Sequence, residues 1–235
     1  MIRTVVDEGV DVVLLDRPAT RNALTAAMWR DLAEAVTRLD RAPTDAPVVL
    51  RGADGYFSSG ADLAALAHAR TDRHRAAAFT TAVVGALLAL HRARRRTVAL
   101  VDTGAAGGGV EIMLACDVRV TTGPVGLVFP FGGHGVSLDG FTAWRLTGLV
   151  GARDAARLTD GVHRVPDAEV RRLGLVDATV TGPAAAADLA RGRPAAHRWP
   201  GLAGGEVAAA SRAAAPMVAS LLPGPAPVDP PAGIR

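Results

Sequence analysis

The 235-residue chain carries a formal net charge of +3 and 49% hydrophobic residues, which is enough apolar material for one soluble core with a small appendage. All 26 basic residues are arginine, so chemistry that needs a lysine Schiff base, including that of pyridoxal phosphate, is excluded. Cys116 is the single cysteine, which excludes an intramolecular disulfide and a cysteine-rich metal site and predicts a buried, inert thiol. No apolar run approaches the roughly 20 residues of a membrane span, and the N-terminus leads into a strand rather than a signal peptide, so we expect a cytoplasmic protein.

The N-terminal part of the chain alternates between strand and helix patterns. Residues 4–6 and 11–15 predict a hairpin that turns at Glu8 and Gly9. Thr25 is a suitable N-cap for an amphipathic helix of about four turns. The apolar positions that recur on one face of this helix are Trp29, Leu32, Val36 and Leu39. Residues 46–50 show a second apolar strand pattern, which opens into a glycine-bearing loop.

A long helix and a basic cluster precede the next strand. Residues 76–95 show helical patterning, and the helix ends in an arginine cluster over residues 92–96. Cations complement the C-terminal end of the helix dipole, so we expect a solvated helix end. Nucleic-acid binding by these arginines is disfavoured, because the net charge is low and no aromatic residues accompany them.

The later elements continue this alternation and then weaken. Strand patterns cover residues 97–101 and 117–121, and helix patterns cover residues 109–115, 140–149, 152–159, 168–173, 184–189 and 205–222. Such repetition indicates an α/β fold in which helices cover successive turns of sheet. We expect a core over residues 1–180, a short C-terminal helical region over residues 181–222 and a disordered, proline-rich tail over residues 223–235.

Three consecutive glycines, Gly107 to Gly109, follow the strand at residues 97–101 and precede a helix-compatible segment. Backbone N–H groups at such a helix N-terminus favour a developing negative charge, which is half of an oxyanion hole. Glu111 lies close enough in sequence to handle a proton beside that charge. The sequence therefore predicts an acid/base site at the start of this helix.

Five motifs occur in a fixed order along three quarters of the chain. They are RPATRNAL at residues 17–24, FSSGADL at 57–63, GAAGGGVE at 104–111, CD at 116–117 and LGLVD at 173–177. In the order and spacing of these motifs, the chain resembles the crotonase (enoyl-CoA hydratase/isomerase) family. The resemblance implies a core built as a spiral of β/β/α turns and a coenzyme A thioester as substrate, with no separate cofactor and no metal.

The resemblance also implies roles for individual residues. The two oxyanion-hole amides fall on Ala61 and Gly108, and each preorganised donor of this kind can lower a barrier by about 3–4 kcal/mol. Glu111 corresponds to the first catalytic carboxylate of hydratases, with a purely structural acid in the first helical turn as the alternative. The residues expected along the substrate and coenzyme A path are Arg21, Ala23, Gly60, Asp62, Leu63, Gly107, Phe131 and His134. Arg21 lies where a cation could meet the nucleotide phosphates, or it is a solvated loop residue.

The second hydratase carboxylate is missing from this chain. Phe131 stands where hydratases carry the glutamate of a Pro-Glu pair, which argues against ordinary hydration. Asp139 lies where other branches of the family carry a catalytic carboxylate, and it is equally suited to cap the helix that follows. His134 can move a proton in the acyl pocket or be a polar loop residue. We therefore expect a non-standard acid/base pair of Glu111 and Asp139.

Two classes of function follow from the resemblance. The leading expectation is an enzyme that hydrates, dehydrates or isomerises an enoyl-CoA through a thioester enolate. The alternative is an auxiliary, non-catalytic protein that binds a coenzyme A thioester and supports a partner enzyme, because the second glutamate is absent and the C-terminal part is short. The resemblance further implies a homotrimer or a dimer of trimers, and we expect neither a nucleic-acid nor a membrane partner.

Overall fold

The computed structural model describes residues 1–193, 199–200 and 206–222 as a mixed α/β fold. The strands are β1 (Ile2–Asp7), β2 (Val10–Leu15), β3 (Val48–Gly52), β4 (Thr97–Val101), β5 (Gly104–Ala106), β6 (Val118–Thr121), β7 (Gly126–Phe129), β8 (His163–Val165) and β9 (Ala178–Thr179). The helices are α1 (Ala26–Asp40), α2 (Leu63–Ala69), α3 (Arg73–Arg92), α4 (Gly108–Ala115), α5 (Gly140–Thr159), α6 (Asp167–Arg172), α7 (Pro183–Arg191) and α8 (Glu206–Leu221).

The strands form two sheets, and the chain alternates between them. The larger sheet has the order β1-β2-β3-β4-β6-β9, and it is parallel except for the β1-β2 hairpin. The smaller sheet has the order β5-β7-β8. From β4 the chain passes to β5 and α4, and from β6 it passes to β7 and on to α5. This repetition is the β/β/α spiral that the resemblance implies.

Helices cover both faces of the larger sheet. On one face α1 begins at Thr25, whose hydroxyl accepts a hydrogen bond from the Met28 amide, and its predicted apolar positions enter the main core. On the other face α7 packs against β2, β3 and β4. Since successive side chains of a strand point to opposite faces, β2, β3 and β4 each contribute to both apolar clusters. Among the described residues, no helix is long and apolar enough to cross a membrane.

The arginine cluster after α3 differs from the solvated helix end that the sequence predicts. Arg95 is 1% exposed, and its guanidinium pairs with the Asp11 carboxylate at 2.6 Å. It also donates hydrogen bonds to the Leu39 and Ala46 carbonyls at 2.9 and 2.6 Å. The expectation was wrong for Arg95 because the helix-dipole argument is local, whereas the partners of Arg95 come from β2, the end of α1 and the loop before β3.

Several elements depart from the predicted pattern in smaller ways. α2 and the short strands β5, β7, β8 and β9 were not predicted. The two helices predicted near residues 140–159 are the two halves of α5, which Gly151 interrupts with a φ of +80°. Cys116 is buried as expected, and burial raises the pKa of its thiol. The predicted disordered tail, residues 223–235, lies outside the described residues.

Candidate active site

The two glycine-bearing motifs are in direct contact at the start of α4. The Ser58 carbonyl accepts a hydrogen bond from the Ala106 amide at 2.9 Å. Gly60 has a φ of +90°, and a Cβ added to it would lie 2.5 Å from the Gly108 amide nitrogen and 2.7 Å from the Ala106 carbonyl oxygen. A Cβ added to Gly109 would lie 2.3 Å from the Ser58 carbonyl oxygen. This close approach of two backbones therefore requires glycine at both positions.

Asn22, from the first motif, fixes the loop that precedes the site. Its side-chain oxygen accepts a hydrogen bond from the Arg17 amide, and its side-chain nitrogen donates to the Ala53 and Tyr56 carbonyls. Its own carbonyl accepts a hydrogen bond from the Ser58 hydroxyl at 2.8 Å. Asn22 is fully buried, so these bonds hold the loop rigidly against the second motif.

Two backbone amides at this contact are free to bind a ligand. Among the described residues, neither the Ala61 amide nor the Gly108 amide donates a hydrogen bond within the protein. Gly108 is the first residue of α4 after its N-cap Gly107, so its N–H has no partner inside the helix. A Cβ added to Gly108 would lie 3.3 Å from the Ala61 amide nitrogen, which places both donors beside one small volume. Together they have the arrangement of an oxyanion hole at the positive end of a helix dipole.

Glu111 lies one turn after Gly108 on the same side of α4. Its side chain is buried, and its Oε1 has no hydrogen-bond partner among the described residues. Burial raises the pKa of Glu111 well above its ordinary value, and the charge of Asp139 raises it further. Glu111 therefore retains its proton at a higher pH than an exposed glutamate and can act as an acid beside the two amides.

Asp139 acts on Glu111 through its charge, but its own helix engages its carboxylate. It is fully buried at the N-cap of α5, where it accepts hydrogen bonds from the Phe141 and Thr142 amides at 2.9 and 3.1 Å and from the Thr142 hydroxyl. Burial raises the pKa of Asp139, and these hydrogen bonds oppose that rise. The N-cap interpretation accounts for its geometry, whereas a direct catalytic role for Asp139 stays a prediction.

A cavity of about 80 Å³ lies beside the two motifs. The predicted site residues that line it are Ala61, Leu63, Gly107, Glu111, Phe131 and His134. Phe131 is 5% exposed and packs edge-on against Phe129, so the position of the missing hydratase acid is an apolar wall. The lining does not include Asp139.

The other predicted residues lie outside this cavity. Arg21 is exposed, and its guanidinium stands 5.6 Å from the centre of the Tyr56 ring. Ala23 is buried in the preceding loop. The Asp62 carboxylate caps α2 and pairs with Arg17 at 2.6 Å, and the hydrogen bond from Arg17 lowers the pKa of Asp62. Asp62 therefore has a structural partner within the protein.

The loop around His134 closes one side of the cavity. The His134 residue is exposed, and its backbone carbonyl accepts a hydrogen bond from the Arg70 guanidinium at the end of α2. Glu111 and His134 are the two titratable side chains among the described cavity-lining residues.

Comparison with known proteins agrees with this geometry. The family model for enoyl-CoA hydratase/isomerase matches residues 6–192. The chain belongs to the enoyl-CoA hydratase/isomerase family. A solved structure of an enoyl-CoA hydratase from Bacillus halodurans superposes with a TM-score of 0.75 over 94% of each chain at 21% identity, which supports the fold alone.

The relatives that this chain resembles are named for different activities. An ethylmalonyl-CoA decarboxylase from Danio rerio is 32% identical over 172 residues, which cover 73% of this chain and 57% of that protein. A peroxisomal Delta(3,5)-Delta(2,4)-dienoyl-CoA isomerase from Arabidopsis thaliana is 28% identical over 186 residues, covering 75% of this chain and 67% of that protein. The chain thus spans a little over half the length of the decarboxylase relatives.

Trp29 and Met217 are among the cavity-lining residues that the sequence analysis did not predict as site residues. Trp29 was expected only as a core residue of α1, yet its side chain lines the cavity. Met217 comes from α8 in the weakly patterned C-terminal region, and it also lines the cavity. The helical spacing of Trp29 predicts its burial and gives no information on whether its indole N–H finds a partner.

Proposed function

We propose that this protein is an enzyme that binds an acyl-CoA with the thioester oxygen at the Ala61 and Gly108 amides and forms an enolate there. The observation that carries this proposal is the pair of unpartnered amides beside the buried, unpartnered Glu111 oxygen. Each amide lowers the barrier to enolate formation by about 3–4 kcal/mol. Negative charge develops on the oxygen only as the enolate forms, so the amides stabilise the transition state more than the bound thioester.

The reaction that we propose for this enolate is decarboxylation of a 2-carboxyacyl-CoA. The bond between C2 and the carboxylate breaks, its electron pair enters the enolate, and CO₂ leaves. Glu111 then donates its proton to C2 and recovers a proton from solvent. This sequence needs one protonated group, and Glu111 is the carboxyl that lines the cavity. The similarity to ethylmalonyl-CoA decarboxylases supports the choice.

Asp139 is a positioning residue in this proposal. Its carboxylate is engaged by the Phe141 and Thr142 amides and by the Thr142 hydroxyl, so it does not need to meet the substrate. Its negative charge keeps the proton on Glu111 until the enolate requires it. The non-standard pair expected from the sequence then consists of one proton donor and one charge that holds the donor protonated.

Double-bond isomerisation is the second candidate. The similarity to a dienoyl-CoA isomerase favours it, and Glu111 can remove a proton from one carbon and return it to another. Hydration or dehydration is less well supported, because the apolar Phe131 wall offers no second carboxylate to position water. The auxiliary function remains the alternative for a protein that binds these thioesters without converting them.

Glu111→Gln tests the proposed role of the proton donor. We expect ethylmalonyl-CoA to be decarboxylated by the wild type and kcat to fall by roughly 10²- to 10⁴-fold in the variant. In D₂O the wild type should place deuterium on C2 in one configuration, whereas the variant should give a mixture, because solvent then protonates the free enolate. CO₂ release and NMR of the product measure the two effects.

The control is Glu169→Gln in α6, which removes a carboxylate that pairs with Arg157 away from the cavity. It should retain wild-type turnover. Dienoyl-CoA and crotonyl-CoA are assayed in parallel, and preferential turnover of either would replace decarboxylation with isomerisation or hydration. Binding of all three thioesters without turnover would support the auxiliary alternative.

The setting of this reaction is part of the same proposal. We propose that coenzyme A enters only as part of the substrate and that the reaction uses no separate cofactor. A homotrimer or dimer of trimers and a cytoplasmic location complete the proposal, and both rest on the resemblance and on the sequence.

A further inference from the structure

Trp29 is a cavity-lining residue with a polar group, its indole N–H, that the proposed reaction has not used. Its side chain is fully buried on α1 and lines the cavity. Among the described residues, its Nε1–H has no hydrogen-bond partner. A buried donor without a partner is rare and destabilising in folded proteins. The indole N–H therefore has the properties of a group that binds a ligand.

The six-membered ring of the Trp29 indole lies beside the Gly108 and Ala61 amides. A Cβ added to Gly108 would lie 2.8 Å from Cζ2 and 3.2 Å from Cη2 of Trp29. Cζ2 is bonded to Cε2, the ring carbon that carries Nε1, so the N–H is two bonds from the nearest contact atom. The same added Cβ would lie 3.3 Å from the Ala61 amide nitrogen. Trp29 thus stands next to both donors that we assign to the thioester oxygen.

The cavity holds a second unpartnered group, the Oε1 atom of Glu111. Both atoms are buried from solvent and have no partner among the described residues, so bulk water does not compensate either of them. A substrate that reaches the indole N–H must supply an acceptor, because that group donates and cannot accept. A plain alkyl chain supplies none, whereas a carboxylate can accept from Trp29 and from the protonated Glu111 together.

We infer that Trp29 is a substrate-binding residue whose indole N–H holds the carboxylate on C2 of a 2-carboxyacyl-CoA, an inference that rests on the proposed decarboxylation. This contact selects acyl-CoAs with a charged acceptor at C2 over unsubstituted ones. It also fixes the carboxylate beside the thioester plane, in a cavity whose other walls are mainly apolar. The carboxylate then leaves as CO₂ next to the proton donor Glu111.

The test measures binding to a thioester that cannot react. In 2-sulfonatobutyryl-CoA a sulfonate replaces the carboxylate and cannot leave as CO₂, and butyryl-CoA is its unsubstituted match. Calorimetry should show that Trp29→Phe weakens sulfonatobutyryl-CoA about tenfold or more, as expected for a hydrogen bond to a charged group. Binding of butyryl-CoA should change less than twofold.

Two controls separate the lost hydrogen bond from lost packing. Incorporation of 3-benzothienylalanine at position 29 replaces the N–H with sulfur and keeps the ring shape, and it should reproduce the selective loss. Trp144→Phe makes the same chemical change on α5, where Trp144 packs near Phe141, and should leave both affinities unchanged. If Trp29→Phe loses affinity equally for both thioesters, or loses none for either, the inference is overturned.

The outcomes also distinguish this inference from the proposed function. In one outcome Trp29→Phe selectively weakens binding of 2-sulfonatobutyryl-CoA, but the wild type does not turn over ethylmalonyl-CoA. This result would refute decarboxylation and support Trp29 as an anion-binding residue. In the other outcome the wild type turns over ethylmalonyl-CoA, but Trp29→Phe binds both thioesters as tightly as the wild type does. This result would refute only the role of Trp29.

Discussion

Glu111 shows how the burial that supports its proposed role as an acid works against stability. A carboxyl inside the protein binds its proton more tightly than the same group in the unfolded chain, so the pKa of Glu111 rises on folding. Proton transfer to an enolate benefits, because the acid is present in the reactive form at higher pH. The free energy of unfolding does not benefit at a pH above the ordinary pKa of glutamate. There the unfolded chain releases the proton, whereas the folded protein must keep it.

This conflict predicts a pH-dependent effect of Glu111→Gln on stability. Below the ordinary pKa of glutamate, about 4.3, both states of the wild type bind the proton. Between that value and the raised folded pKa, the free energy of unfolding of the wild type falls with pH by up to about 1.4 kcal/mol per unit. Glutamine binds no proton in this range, so the variant should gain stability relative to the wild type as pH rises.

Urea unfolding of both proteins from pH 4 to pH 8 measures this difference. The surface variant Glu169→Gln serves as the control and should not reproduce the trend. A constant difference between wild type and Glu111→Gln, or one that shrinks with rising pH, would contradict the burial of a protonated carboxyl.

At the scale of elements, the contact of two loops brings together the two amides that we propose as an oxyanion hole. The glycine triplet and the FSSGADL motif each predict a turn, and the resemblance places one amide in each. The sequence alone does not reveal that Gly60 touches the backbone of the other loop, because the contact spans about fifty residues of chain and depends on parallel pairing of Ser58 with Ala105. The motifs predict the donors, and the sheet brings them together.

Gly60→Ala should therefore disrupt the site more than its φ angle alone explains. The new Cβ would meet the Gly108 amide nitrogen at 2.5 Å, and the two loops would have to separate. We expect a loss of at least tenfold in kcat and a lower unfolding temperature. Gly9→Ala in the β1-β2 turn is the matched control, since Gly9 has a φ of +77° and nothing within 4 Å of an added Cβ. Equal effects of the two variants on turnover would refute the contact argument.

The elements that the sequence did not predict share a physical cause. β5, β8 and β9 have three, three and two residues, too few for a periodic pattern to stand out. These strands exist because longer neighbours supply their hydrogen bonds, as β7 does for both β5 and β8. α2 follows Asp62, whose side chain accepts a hydrogen bond from the Ala65 amide, a capping signal that the sequence does contain.

At the scale of the whole molecule, the order of motifs predicts the spiral, and distant contacts determine the details of the site. Asp139 is recognisable from sequence as an N-cap, but its effect on Glu111 depends on how α5 packs against α4. Trp29 is recognisable as a buried residue, but its unpartnered N–H depends on what surrounds it. Polar groups that lack partners cannot be deduced from local patterns, because a partner can come from anywhere in the fold.

The C-terminal region offers a prediction about the cooperativity of the fold. The composition of the sequence predicts a boundary near residue 180, yet α7 packs its buried Ala186, Ala187 and Ala190 against valines and leucines of the larger sheet. Ala187→Glu would bury an unpaired charge in this contact, which costs about 3 kcal/mol or more. If α7 and the sheet unfold as one unit, the variant should lower the unfolding temperature by roughly 6–12 °C in a single transition.

Hydrogen exchange reports which elements respond to that change. Amides of β4 should lose protection together with those of α7, because α7 covers the strand directly. Asp188→Glu, at an exposed position of the same helix, retains a carboxylate outside the contact and should leave exchange unchanged. Faster exchange confined to residues 183–191 would instead mean that α7 detaches alone and that a boundary near residue 180 separates two units of stability.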